Sequence, residues 1–292
     1  TERFNRRTIL QRVASSRRGR LGAAVGWPSS FDPLPSSTIE ANVLQPKGGW
    51  PSLTIHGNPV SSDGIHLTAP SGALSRYHFH YLDWIEPTLR AGLGDELGLQ
   101  LITEWHALHP VGPGPAWDPY VTASRAWTIC RLAHTTSLRP PDAEFWLETH
   151  RAALELTLER ALGGNHLLRN LKALFGLNVW LGAPENETKK ALTSFTRELE
   201  RQLFTDGGHF ERSPHYHAIV LGDAIDVLAL AEAHGVGATA GLRSQVRAMS
   251  RFLRAVTHRS GELARFNDSP EISQVFLSRV MAHAEPYAPA VL

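Results

Sequence analysis

Cysteine is nearly missing from this 292-residue sequence: Cys130 is its single example. That excludes an internal disulfide scaffold and a zinc site built from cysteines. The residue lies in the apolar run Ala126-Trp127-Thr128-Ile129-Cys130, a pattern of packed helix interior and not of a nucleophile. Lysine is also scarce, with only Lys47, Lys172, Lys189 and Lys190 among 29 cationic side chains. Arginine grips carboxylates with a fixed two-pronged geometry, although a GC-rich genome produces the same bias. Excess charge is absent too: 29 − 28 leaves +1, so no global field draws nucleic acid or an anionic membrane. No run of roughly eighteen apolar residues occurs, so no membrane span is expected. The first twenty residues carry seven arginines and lack the hydrophobic core of a signal peptide. These features do not decide between the cytoplasm and the periplasm.

What is present is a sizeable apolar fraction, 42%, with eight Trp and eleven Phe, enough for a large core. Residues 1–20 read as a basic amphipathic helix with Phe4, Ile9, Leu10 and Val13 on one side. Residues 21–76 are punctuated by Pro, Gly and Ser and hold short β-like runs at Ser52–Ile55 and Gly64–Thr68. Together, 1–76 form an expected N-terminal helix and irregular arm. From about residue 77 to 292 helical periodicity takes over, with helices expected near 78–98, 99–109, 119–137, 141–161, 166–182, 186–204, 215–234, 239–257 and 271–283. Turn-like joints separate them, which implies antiparallel helix pairs. The fold class this predicts is all-α, an incomplete (α/α) toroid of helix hairpins in which alternate joints share one rim.

Polar residues concentrate in three places where packing does not require them. Gly163-Gly-Asn-His-Leu-Leu-Arg-Asn170 opens a helix, with Asn165 as a natural N-cap. His166 and Arg169, three apart, share a face of the first turn. The stretch Thr205-Asp-Gly-Gly-His-Phe-Glu-Arg-Ser-Pro-His-Tyr-His217 follows. Its Asp206-Gly-Gly208 is a tight turn, and Ser213-Pro214 is an N-cap followed by the first helical residue. Architecture does not account for His209, Glu211, Arg212, His215, Tyr216 and His217. The third place is Ser75–Trp84, which includes His80, together with Trp117–Arg125, which includes Tyr120. Aromatic rings alternating there with His and Arg suit stacking on a sugar, and they suit an aromatic core with amphipathic edges equally well.

Other chemistries share these residues. His209-x-Glu211 and His215-x-His217 could ligate a metal, but a spacing of two at a helix start splays the paired histidines apart. Glu211 with Asp206 or Asp223 could supply the two carboxylates of a glycosidase, although nothing marks a pair.

Five stretches resemble the heparinase II/III-like polysaccharide lyases, a family related to alginate lyases of the same architecture. They are RYHFHYLDW (76–84), WDPYVTASRAW (117–127), GGNHLLRNLKALF (163–175), TDGGHFERSPHYHAIVLGDAIDVL (205–228) and FNDSP (266–270). They occur in the family's order over about 190 residues, and DGGHFERSPHYH is the most specific. The resemblance implies an α-helical toroid and β-elimination on a uronic-acid polysaccharide, with no cofactor and no metal. It also implies that Asn165 and His166 bind and neutralise the uronate carboxylate while Tyr216 carries the proton. Arg169, Glu211, Arg212, His217, His80, Trp117, Tyr120 and Arg125 become the expected substrate contacts. Some members place a carboxylate three residues after the site histidine, where this sequence has Arg169. The family's toroid continues into a β-sandwich that brings a further histidine. This chain reaches Leu292 where that sheet would begin, so a β-sandwich partner chain is a possible companion.

The chemistry is consistent with the residue types. Removing the proton beside a uronate carboxylate places a second negative charge next to the first. A well-placed donor to that developing charge is worth about 3 kcal/mol. A phenol, ordinarily titrating near about 10, needs neighbouring cations to act as a base near neutrality; Arg212, Arg169 and a protonated His217 are the candidates, and Glu211 would orient His166 or Arg169. The expected partner is therefore an acidic polysaccharide or oligosaccharide, not nucleic acid. Two alternatives stand beside this: a non-catalytic binding or scaffold subunit, and an enzyme acting on a small carboxylated metabolite.

Overall fold

Apolar residues at helical spacing become helices along most of the chain. A computed structural model describes residues 6–19, 26–34, 41–44, 52–62, 67–89, 94–136, 142–237 and 239–288. In chain order the elements are α1 (Arg6–Gly19), β1 (Ala41–Leu44), β2 (Ser52–Ile55), β3 (Asn58–Ser62), β4 (Leu67–Thr68), α2 (Ala73–Phe79), α3 (Ile85–Thr88), α4 (Gly94–Leu108), α5 (Pro119–Thr135), α6 (Ala143–Thr157), α7 (Gly164–Trp180), α8 (Glu185–Arg201), α9 (Pro214–Ala233), α10 (Ala240–Ala255) and α11 (Gln274–Ala284). The class is all-α, as the periodicity predicts. Two compact units divide the chain: Thr1–Gly26 with Thr38–Leu158, and Trp27–Ser37 with Glu159–Leu292.

In the first unit α1 packs on α6 through buried Ile9 and Val13, while Leu10 turns partly to solvent. Phe4, expected on the same face, lies outside the described residues. The segment expected to be irregular holds a four-stranded antiparallel meander in the order β1-β2-β3-β4. Its β2–β3 hairpin closes on His56 and Gly57, whose φ values of 50° and 73° are those of a tight turn matching strand twist. Leu53 and Ile55 from this sheet join Phe79, Trp84, Ile102 and Trp105 in one core.

The helix expected over 78–98 is not continuous. The chain breaks after α2 because Leu82 adopts a φ of 61° while fully buried. That backbone costs about 1–2 kcal/mol, which burying a leucine side chain, worth about 1.5–3 kcal/mol, can offset. A boundary near 98 is also missing, since Gly98 is buried inside α4.

In the second unit α7 and α8 form a hairpin, and α9 packs against α7, α10 and α11. Buried residues run almost without interruption from Pro214 to Ala231, as expected of a helix that is apolar all round. The outer helices carry single stripes instead: Leu192, Phe195 and Leu199 on α8, and Leu242, Val246, Met249 and Leu253 on α10. Gly222 lets α11 approach, since a Cβ there would lie 3.0 Å from the Phe276 ring. Residues 27–34 are stitched to this unit, with Trp27 Nε1 donating to Gly176 O at 3.0 Å and Leu34 N to Asp226 Oδ1 at 2.9 Å.

Candidate functional site

One end of the second unit gathers the start of α7, the 202–213 loop, the start of α9 and residues 266–270. Gly163 and Gly164 both have positive φ, 68° and 57°, and α7 begins at Gly164 with Gly163 as its cap residue. Asn165 is therefore in the first turn and is not the N-cap; two consecutive glycines able to turn the chain move the start upstream. The Asn165 N–H donates to Glu211 Oε1 at 3.0 Å. A carboxylate at this position meets the exposed donors and the positive end of the helix dipole.

His166 is oriented by a residue the sequence did not single out. Its Nδ1 lies 2.9 Å from Glu159 Oε1, and its side chain remains 40% exposed. Glu159 is held in turn, since Asn170 Nδ2 donates to its Oε2 at 3.1 Å and its own N–H donates to Asn170 Oδ1 at 3.1 Å. Glu211 is occupied by the Asn165 backbone; the carboxylates beside His166 and Arg169 are Glu159 and Asp223. Arg169 Nη1 is 3.2 Å from Asp223 Oδ1, and Lys172 Nζ bridges Asp223 and Asp226 at 2.9 and 2.5 Å. Arg169 thus stands at the edge of a buried ionic cluster.

The 202–213 loop is a short hairpin, with Leu203 bridged to His209 and Phe210 N donating to Gln202 O at 2.8 Å. It leaves Phe204 and Phe210 each more than 40% exposed. The Arg212 guanidinium lies 5.5 Å from the centre of the Phe204 ring, and the Arg212 backbone has a φ of 56°. Gln202 ties the hairpin to α7, donating to Gly164 O at 3.1 Å, and its Oε1 accepts from His209 Nε2 at 2.8 Å. His217 accepts from the His209 N–H through Nδ1 and donates from Nε2 to Met249 O at 3.0 Å. Burial pushes His217 down to about 4, so near neutrality it is uncharged. It cannot be the expected cation beside the tyrosine. Burial also pushes His209 down to about 4 and lowers His215.

Ser213 caps α9 as its sequence predicts, accepting from Tyr216 N at 3.2 Å with Pro214 in the first helical position. The Ser213 hydroxyl donates to Asp268 O at 2.6 Å, and Asn267 Nδ2 donates to Arg212 O at 2.7 Å. The Tyr216 hydroxyl donates to Asp268 Oδ2 at 3.2 Å.

The remaining expected contacts belong to the first unit. Arg125 is completely buried. Its Nη1 donates to His80 O at 3.0 Å and Ala116 O at 2.7 Å, and its Nε to His150 Nε2 at 2.8 Å. Its guanidinium carbon lies 3.9 Å from the Trp105 ring centre and 4.9 Å from that of Trp117. His80 accepts from Trp105 Nε1 at 3.1 Å, and burial pushes it down to about 3. Trp117 is buried and donates to His109 O at 3.0 Å, whereas Tyr120 is half-buried beside Tyr81. His80, Trp117 and Arg125 therefore bind one another's surroundings in an interior and do not line an open surface.

Sequence reasoning missed Glu159, Asn170 and Gln202. Glu159 and Asn170 share a positional signal, four residues before the double glycine Gly163-Gly164 and one turn after His166; Gln202 has none.

The helix hairpins define an all-α protein, with Asn165-His166 at one helix start and Tyr216 at another. Residues 143–290, just over half of the chain, match the family model described as heparinase II/III N-terminus, and the chain belongs to that family. FtsZ-localized protein C of Caulobacter vibrioides is 25% identical over 93% of this chain and 47% of its own length. A heparin-sulfate lyase of Bacteroides stercoris is 29% identical over 32% of this chain and 14% of its own length. The crystal structure of heparinase III shares the fold, with a TM-score of 0.63, 18% identity, and coverage of 79% of this chain and 40% of that one. This chain thus spans less than half the length of the relatives it matches.

Proposed function

We propose that this protein is a polysaccharide lyase that cleaves a uronic-acid-containing acidic glycan by β-elimination. The observation that carries the reading is the half-exposed His166, held by Glu159 one residue after Asn165 on the turn that Glu211 ties to the Tyr216 loop. Asn165 and His166 neutralise the uronate carboxylate as charge develops, the role for which preorganised donors are most effective. Tyr216 carries the proton. The C–H bond beside the carboxylate breaks, its electron pair forms the ring double bond, and the glycosidic C–O bond breaks as the leaving oxygen gains a proton. Arg169, Arg212 and Glu211 hold the anionic chain and the loop. A β-sandwich, on the same or a partner chain, supplies the further histidine of the family pattern.

The test is ultraviolet absorbance of unsaturated uronate ends when the protein, purified from its native source, is incubated with heparan sulfate, heparin or alginate. Product should form with the wild type and fall by about 10²–10⁴-fold in Tyr216→Phe. Tight binding of these polymers with no unsaturated ends would overturn the lyase reading.

A second reading rests on the match along 93% of the chain to FtsZ-localized protein C. In that case the helical scaffold serves attachment at FtsZ and not glycan cleavage. Co-sedimentation with FtsZ polymers in the absence of any lyase product would favour it.

A further inference from the structure

Glu159, His166 and Asn170 are joined by hydrogen bonds whose polarity can be read atom by atom. Asn170 Oδ1 accepts from the Glu159 N–H at 3.1 Å, which identifies the oxygen end of that amide. Its nitrogen end therefore donates to Glu159 Oε2 at 3.1 Å. The other carboxylate oxygen, Oε1, faces His166 Nδ1 at 2.9 Å. A carboxylate only accepts, so the imidazole must carry a proton on Nδ1. Asn170 is fully buried, and Glu159 has a side-chain exposure of 17%. The arrangement is thus fixed from the interior side.

We infer that Glu159 is the positioning residue of this site: it holds the neutral His166 ring in the Nδ1–H tautomer, so that Nε2 is the atom offered to a ligand. With Nδ1 committed, a carboxylate ligand at Nε2 requires a second proton on the ring. The imidazolium then lies between two carboxylates, Glu159 and the ligand's own. The site favours an anion that arrives with a proton, whereas a neutral sugar can only donate a hydroxyl to Nε2 and gains no charge pairing. The link to catalysis rests on the lyase reading, whereas the tautomer does not.

Replacing Glu159 with glutamine gives a directional prediction. Asn170 Nδ2 still needs an acceptor, so the carbonyl end of the new amide is drawn to the Oε2 position and its NH₂ end faces His166. The substitution Glu159→Gln therefore makes His166 Nδ1 an acceptor and moves the ring proton to Nε2. The experiment is long-range ¹⁵N–¹H correlation on the histidine-labelled full chain, read at alkaline pH where the His166 nitrogen shifts no longer change with pH. The His166 signals are assigned by their loss in His166→Gln. The expected result is the Nδ1–H signature in the wild type and the Nε2–H signature in Glu159→Gln. An Nε2–H wild type overturns the inference, as does an unchanged tautomer in a Glu159→Gln protein with wild-type circular dichroism. Should that variant not fold, the wild-type spectrum alone decides. An Nδ1–H wild type with no unsaturated product from any uronate polymer removes the lyase reading and leaves the positioning role standing.

Discussion

Tyr216 and Asp268 are joined across two elements: the phenol on the first turn of α9 donates to the carboxylate of the 266–270 loop at 3.2 Å. The same loop receives the Ser213 hydroxyl at Asp268 O, so the cap of α9 and the orientation of its tyrosine depend on one short segment. Asp268→Ala should remove the carboxylate acceptor of the Tyr216 hydroxyl without touching the α9 cap, because the carbonyl acceptor remains. Under the proposed lyase reading, the expected outcome is a loss of rate of roughly tenfold or more, smaller than that of Tyr216→Phe, with the melting temperature nearly unchanged. Steady-state rates on the best uronate polymer check it. A variant as fast as wild type would remove Asp268 from the site.

Lys172 tests the buried ionic cluster beneath the site. Its ammonium bridges Asp223 and Asp226, and burial pushes the Asp226 carboxyl up against the pull of that charge. Lys172→Met leaves two interior carboxylates with less positive charge between them, which should cost about 3–5 kcal/mol of stability. Without the ammonium the Asp226 carboxyl folds in its neutral form, holding a proton that the unfolded chain releases. The folded state then binds more protons, so stability falls as pH rises. Urea unfolding at pH 5 and pH 8 should show the larger deficit at pH 8. An equal deficit at both would mean that Asp226 stays ionised in the variant.

The parts legible in the sequence are those set by neighbours in the chain. Ser213-Pro214 marks a helix start because the cap bond spans only three residues, to Tyr216 N. The α8 and α10 stripes likewise follow from spacing alone. The start of α7 is displaced because Gly163 and Gly164 both take positive φ, a freedom the spacing does not reveal. Glu159 reaches His166 only through the turn between α6 and α7, so its role depends on a conformation and not on a pattern. Arg125 is illegible for another reason. A charged side chain reads as surface, yet here two carbonyls, an imidazole and two indole faces surround it. The Tyr216 partner lies 52 residues away in FNDSP, a stretch visible as a motif but not as a contact.

Gly164 is the glycine whose replacement reaches the Asn165–Glu211 contact directly. Its φ is 57°, and a Cβ there would sit 2.5 Å from Glu211 Oε1. Gly164→Ala carries a left-handed backbone penalty of about 1–2 kcal/mol and also pushes Glu211 off the Asn165 N–H. The expected result is a lower melting temperature and, under the proposed function, weaker binding of uronate polymers. Gly163→Ala, where a Cβ meets nothing within 4 Å, carries a backbone penalty of its own, about 1–3 kcal/mol for a φ of 68° with a ψ of −144°, and no clash with Glu211. Equal binding by the two variants would show that the Glu211 contact does not matter to the ligand.

The buried histidines set the response to acid. Burial pushes His78, His80 and His106 down to about 3 in the first unit, and His209 and His217 down to about 4 in the second. In the unfolded chain each titrates near about 6.5. Between those limits the unfolded state binds more protons, so stability is complete above about pH 6.5 and drains away as pH falls toward the folded values. Well inside that window each such group removes about 1.4 kcal/mol per pH unit. His106 isolates one contribution, since its ring stacks on Trp146 at 3.9 Å and Phe can keep that contact. His106→Phe loses the bond between Nδ1 and Ile102 O, so it should be less stable at pH 7.5 and lose less on acidification. Urea midpoints at pH 7.5, 6 and 5 should draw together for the two proteins as pH falls. Parallel curves would mean that His106 is not held neutral in the fold.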